Sequence, residues 1–101
     1  MEDKTIDCVC RQIIDKFSPA KIILFSRKNS PSGMLSSFKL CIIVGGDADM
    51  IEHDIYMDVD CDIPFDALVY EESDFDKLSR RNGSFAQRIA SEGSVLYERQ
   101  E

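Results

Sequence analysis

No apolar stretch in this chain is long enough to cross a bilayer. The longest, Ile22 to Phe25 and Leu40 to Val44, have the length of β-strands. A basic surplus is missing as well: 12 Lys and Arg stand against 19 Asp and Glu, a net charge of -7. That balance excludes a general affinity for nucleic-acid backbones, which needs clustered cations. The pairs Arg27–Lys28 and Arg80–Arg81 remain as local anion contacts, with solvated surface charge as the plainer alternative. Histidine occurs once, as His53 between Glu52 and Asp54, with no second histidine and no nearby nucleophile. It reads as surface decoration. Of the four cysteines, Cys8 and Cys10 are one residue apart while Cys41 and Cys61 are isolated, so no zinc-type set of paired ligands exists. On a helix Cys8 and Cys10 point to nearly opposite sides, and reduced thiols used as small core residues are expected. The start, MEDKTIDCVC, has no basic segment followed by an apolar run, which is not the pattern of a secretory signal. A cytoplasmic location, with no membrane contact, is the expectation.

What is present suits one compact unit. The 101 residues, 44% of them hydrophobic, suffice for one modest core and not for two, so a single domain over 1–101 is expected. Residues 3–17 place Ile6, Val9, Cys10, Ile13, Ile14 and Phe17 at spacings of three and four, one apolar helix face closed by Ser18-Pro19. Lys21 to Ser26 reads as a buried strand, and 27–36 as a loop rich in Asn, Ser, Pro and Gly. From Phe38 to Val44 a second strand sends Phe38, Leu40, Ile42 and Val44 to one face and Lys39, Cys41 and Ile43 to the other. Gly45-Gly46 ends it, and Asp47 or Asp49 caps a helix near 48–60 with an apolar stripe of Ala48, Ile51, Ile55, Tyr56 and Val59. A third strand runs from Phe65 to Tyr70 after Pro64. Ser73 then caps a short helix containing Phe75 and Leu78, and Asn82-Gly83 breaks it. Ser84 with Gln87 forms a capping-box pattern for a last helix through about Ala90, and Val95–Tyr97 closes the chain as a strand.

This order resembles the minimal nucleotidyltransferases of the DNA polymerase beta superfamily, from about residue 5 to residue 98. Lys21-Ile22-Ile23-Leu24-Phe25-Ser26-Arg27 is similar to the family's strand ending in Phe-Gly-Ser-Arg. Ser36 to Val44 (SSFKLCIIV) is similar to Ser-Asp-Ile-Asp-Leu-Leu-Val-Val. Phe65 to Tyr70, followed by Glu72-Ser73-Asp74-Phe75, is similar to Val-Asp-Leu-Val-Val and its acidic helix start. The tail from Ser84 to Glu98 also resembles the close of these domains. The fold implied is α+β, a nucleotidyltransferase-like mixed β-sheet with helices packed on it. An unrelated ferredoxin-like α+β domain is the alternative.

Nucleotidyl transfer requires divalent metal, normally magnesium, held by oxygen ligands. The resemblance implies two carboxylates at i and i+2 of one strand and a third on its neighbour. It also implies a Gly-Ser turn opening a helix that cradles phosphates. Here the paired positions fall at Ser37 and Lys39, with the register set by Phe38, Leu40 and Ile42. A shift of two residues gives Lys39 and Cys41, which restores nothing. Phe25 runs directly into Ser26, so the glycine is gone. Asp66 alone keeps its carboxylate, and Lys39 on the adjacent strand is expected to pair with it where the metal would sit. No catalytic residue is assigned with Ser37 and Lys39 in those places. No metal ligand set is expected, and Ser26, Arg27 and Lys28 form a weak candidate for nucleotide or anion contact.

Asp58 to Asp62 begins like a calcium loop, but its sixth position is Ile63 instead of Gly and its twelfth is Val69 instead of Glu, so a solvated helix end is expected. Met34-Leu35 is expected to cap the emptied pocket, with contact to a partner as the alternative. The function that follows is a degenerate, inactive nucleotidyltransferase-like domain serving as a binding or protein-interaction module. The resemblance implies a small helical protein as partner, and a homodimer is equally open. Two alternatives are an enzyme with a rebuilt magnesium site using Asp66 and the 58–62 acids, and a metal-independent nucleotide or anion sensor.

Overall fold

A computed structural model of the protein describes residues 4–100. Its elements follow the order read from the sequence: α1 (Lys4–Phe17), β1 (Lys21–Asn29), β2 (Leu35–Val44), α2 (Ala48–Asp58), β3 (Phe65–Glu71), α3 (Glu72–Ser79), α4 (Phe85–Glu92) and β4 (Ser94–Glu98). The expected helix start at residue 3 lies outside the described residues. The strands form one mixed sheet in the order β3-β2-β1-β4, with β2 parallel to β3 and the other pairs antiparallel. The protein is therefore α+β, with helices on both faces of a mixed sheet.

Two apolar clusters divide along the period-two alternation of β2. Phe38, Leu40, Ile42 and Val44 pack with Ile6, Val9, Cys10 and Ile13 of α1 and with Ile55 of α2. Cys41 and Ile43 point the other way and pack with Ile23, Phe75 of α3, and Ala86 and Ile89 of α4. Six of the seven residues from Phe38 to Val44 are thus buried, because helices cover this strand from both sides. Lys39 is the exception. Burial of side chains such as Ile13, Leu40 and Ile42 contributes about 1.5–3 kcal/mol each.

Local chemistry sets the element ends. Asp47 caps α2, its Oδ1 accepting from the Met50 amide at 3.1 Å. That helix stops at Asp58, earlier than expected, because α1 captures the chain there. The Gln12 amide donates to the Asp60 carbonyl at 2.9 Å and accepts from the Asp60 N–H at 3.0 Å. Lys16 Nζ also meets the Asp58 carbonyl at 2.8 Å, supplying the cation that the last turn of α2 lacks. Ser73 does not cap α3. The helix begins at Glu72 directly after β3, with Glu71 at the cap position making no side-chain capping bond. Ser84 does cap α4, accepting from the Gln87 N–H at 3.0 Å, while the Gln87 carboxamide returns to the Gly83 N–H at 2.8 Å.

The sheet edges differ. On β3 the Ala67 N–H donates to the Tyr56 hydroxyl at 2.8 Å and the Val69 N–H to Glu52 Oε1 at 3.1 Å, so side chains of α2 cover this edge. At the other edge β4 has five residues and is bulged, since Ile22 opposes Tyr97 while Ile23 opposes Val95, leaving Leu96 unmatched. A short, bulged edge is a poor template for further strands.

Candidate functional site

Half of the loop expected over 27–36 is strand. β1 continues through Ser26, Arg27 and Lys28 to Asn29, and β2 starts at Leu35, leaving a tight hairpin tip at 30–34. Gly33 turns the tip with φ +88, and the Ser30 N–H donates to the Met34 carbonyl at 2.7 Å. No helix follows Ser26, so the phosphate-cradling helix start implied by the resemblance is replaced by a β-hairpin.

A bulge in β1 decides what faces what. Leu24 opposes Leu40 and Ser26 opposes Lys39, so Phe25 is the extra residue. Without it Ser26 would lie on the α1 side. With it, Phe25 and Ser26 both turn toward α4. Lys39 in turn is opposed by Asp66 across the parallel β2–β3 pair. Ser26, Lys39 and Asp66 therefore form a row across β1, β2 and β3 on the face that carries α3 and α4. Lys28 opposes Ser37 in the next row of the same face. Arg27 does not belong with them: it opposes Phe38, points to the α1 side and lines a groove with Ile6, Asp7, Cys10 and Leu24. The sequence trio Ser26, Arg27 and Lys28 is split across the two faces.

The expected Lys39–Asp66 pair is half realised. Both side chains occupy one face in direct register, yet both are exposed and neither takes part in an ion pair among the described residues. Asp66 needs no counter-ion because water reaches it. Asp66 alone, with a lysine in register beside it, does not fit magnesium, which takes a shell of oxygen donors. Nor do the acids at 58–62 help. Their backbone is held by Gln12 and Lys16 of α1, and Asp60 and Asp62 border a hollow on that helix, away from Asp66. Among the described residues no three His, Cys, Asp or Glu side chains are grouped so as to hold a metal ion. His53 is exposed on α2.

Beside Lys39 lies a hollow of about 240 Å³, lined by Phe25, Ser26, Lys39, Phe85, Arg88, Ile89, Glu92 and Gly93. The Phe25 and Phe85 rings meet edge to face with centroids 5.5 Å apart, and the Arg88 guanidinium lies 3.9 Å from Glu92. Met34 and Leu35 do not cap it. Met34 is 72% exposed at the hairpin tip, and Leu35 packs into the core beneath α1 and α2. Phe85 occupies the rim instead. The sequence does not announce the contribution of α4, although Phe85, Arg88, Ile89 and Glu92 recur at helical spacing and share one flank. That spacing identifies a flank without saying which end of the sheet it covers.

Cys41, next to Lys39 on this face, is no nucleophile, since burial pushes its thiol up to about 12. The Tyr70 phenol is also raised above its ordinary value, by burial first and then by nearby Cys41 and Glu52. Comparison of the chain with family models, with curated proteins and with solved structures finds no match in any of the three.

Proposed function

We propose that this protein is a non-catalytic binding or protein-interaction module, a nucleotidyltransferase-like domain whose metal-dependent chemistry has been lost. The observation that supports this reading is the row Ser26–Lys39–Asp66. It brings together three of the four positions that the resemblance assigns to phosphate and metal, and it offers them as a hydroxyl, an ammonium and a single carboxylate, with Ser37 in the adjoining row. An ammonium repels a divalent cation and cannot act as its ligand. The extended hairpin in place of a helix start removes the backbone N–H cluster that would hold a triphosphate. Metal-dependent transfer through this face has neither its electrophilic activator nor its phosphate cradle.

A second reading, metal-independent anion binding, draws on Lys39, Arg88 and Ser26 around one hollow with Lys28 in the adjoining row. Titration calorimetry with a nucleoside triphosphate, with and without magnesium, separates the readings. Absence of binding under both conditions is the result expected of an interaction module. Binding that ignores magnesium and is lost in Lys39→Ala supports the second reading. Magnesium-dependent binding with transfer of label to an acceptor overturns both. The partner class implied by the resemblance is a small helical protein, with a second copy of this chain as the other option. Light scattering of the purified protein distinguishes a dimer from a monomer awaiting a partner.

A further inference from the structure

Two of the four cysteines border one hollow that the proposed function does not use. Cys8 on α1 is exposed, Cys61 in the α2–β3 connection is partly exposed, and both line a concavity of about 490 Å³ with Lys4, Thr5, Gln12, Asp60 and Asp62. Gln12 links Cys8 to the residue that precedes Cys61. Its Nε2 lies 2.9 Å from the Asp60 carbonyl oxygen and 3.7 Å from Cys8 Sγ. The Cys8 sulfur is therefore no farther from that carbonyl than those two distances laid end to end, and the same peptide group leads into Cys61. The connection around Cys61 is in neither helix nor strand, but Gln12 and Lys16 hold it against α1 and Cys61 is partly buried against the core, so closure needs the Cys61 side chain to turn toward Cys8.

We propose that Cys8 and Cys61 form a two-thiol modification site that closes reversibly to a disulfide, stapling α1 to the segment entering β3. The reaction partner is a small disulfide such as oxidised glutathione. The exposed Cys8 thiolate attacks one of its sulfurs, the S–S bond breaks, and the first glutathione leaves as thiolate and takes up a proton. Cys61 then attacks Cys8 Sγ of the mixed disulfide and expels the second glutathione, which takes the proton lost by Cys61. The two cysteines are oxidised by two electrons and the small disulfide is reduced to two thiols. Cys10 and Cys41 stand outside this chemistry, since both are buried, Cys10 at 6% exposure and Cys41 at 0%, and neither lines this hollow.

The test uses the full chain, reduced and then exposed to oxidised glutathione, with intact-mass and peptide mapping. The wild-type protein is expected to lose two hydrogens and yield a Cys8–Cys61 cross-linked peptide. Cys61→Ser and Cys8→Ser should instead each accumulate a stable glutathione adduct on the remaining thiol. Gln12→Ala should slow closure several-fold, because it frees the connection from α1. The wild-type unfolding midpoint should rise on oxidation and return with dithiothreitol, while that of Cys8→Ser stays put. Stable adducts on both Cys8 and Cys61 of the wild-type protein without a cross-link overturn the proposal. A cross-link through Cys10 or Cys41, or no reaction of a folded wild-type chain, overturns it equally.

Discussion

Replacing Tyr56 by phenylalanine tests how the β3 edge is closed. The substitution removes one oxygen and leaves the ring, which stacks near Phe65 with centroids 6.3 Å apart. The lost atom accepts the Ala67 N–H at 2.8 Å, and Ala67 is only 3% exposed. An amide left without a partner in such a place costs about 1–3 kcal/mol. Tyr56 is itself half exposed, so water recovers part of this and the lower end of that range, about 1–1.5 kcal/mol, is expected. For a chain of this size that corresponds to a drop in Tm of roughly 4–12 °C. The assay is urea unfolding, with the midpoint falling at unchanged slope, together with amide hydrogen exchange. Exchange at Ala67 should quicken by about tenfold for each 1.4 kcal/mol if it proceeds through opening of this edge. Glu52→Gln serves as the control, since it keeps an oxygen for the Val69 N–H, whereas Glu52→Ala should cost a similar amount to Tyr56→Phe. An unchanged midpoint and unchanged Ala67 protection in Tyr56→Phe would refute the view that α2 side chains close this edge.

Alkaline pH should destabilise the protein through its buried thiols. Burial, with Asp7 adding to it, raises Cys10 from 9.0 to about 11, and burial raises Cys41 from 9.0 to about 12. Both folded values lie above the unfolded one, so this stability is fully present below pH 9 and is lost as pH rises toward 11 and 12. By pH 10 the loss is on the order of 1 kcal/mol per thiol, and a Cys41→Ala variant should show a flatter midpoint-versus-pH curve. Gly93→Ala should destabilise by about 1–3 kcal/mol, because the added methyl would collide with the Ile23 Cγ2 and come within 2.6 Å of the Ile89 carbonyl; denaturant melts that match wild type would contradict this packing. Ser84→Ala removes the cap of α4 and should cost about 1 kcal/mol, read as a lower Tm. The double change Ser37→Asp with Lys39→Asp places three carboxylates with Asp66 on one face. It is expected to create magnesium binding measurable by calorimetry, and a double variant as indifferent to magnesium as its parent would undo the register on which the site rests.

The elements and their order were legible because each rests on a local signal. Apolar spacing of three and four marks α1, alternation marks β2, and Asp47 and Ser84 cap the helices after them. Ends were less legible wherever a distant residue intervenes. The stop of α2 at Asp58 depends on Gln12 and Lys16, more than 40 positions away along the chain. The segment 27–36 reads as a loop because it is rich in Asn, Ser, Pro and Gly. Pairing of β1 with β2 supplies the hydrogen bonds that hold Arg27 to Asn29 extended.

The candidate site divides in the same way. That Ser37 and Lys39 stand where the resemblance would put paired carboxylates, with Asp66 as the third, is a matter of which residues stand at which positions, and the sequence alone is enough to make that comparison. Whether Ser26 and Arg27 reach that site is not such a matter. One unmatched residue in β1 reverses the direction of every side chain after it, and only pairing against β2 shows that Phe25 is that residue. The same holds for α4, whose flank reaches Lys39 because the last helix lies across this end of the sheet. Residue identity decided which groups this face carries, while strand register and helix placement decided what surrounds them.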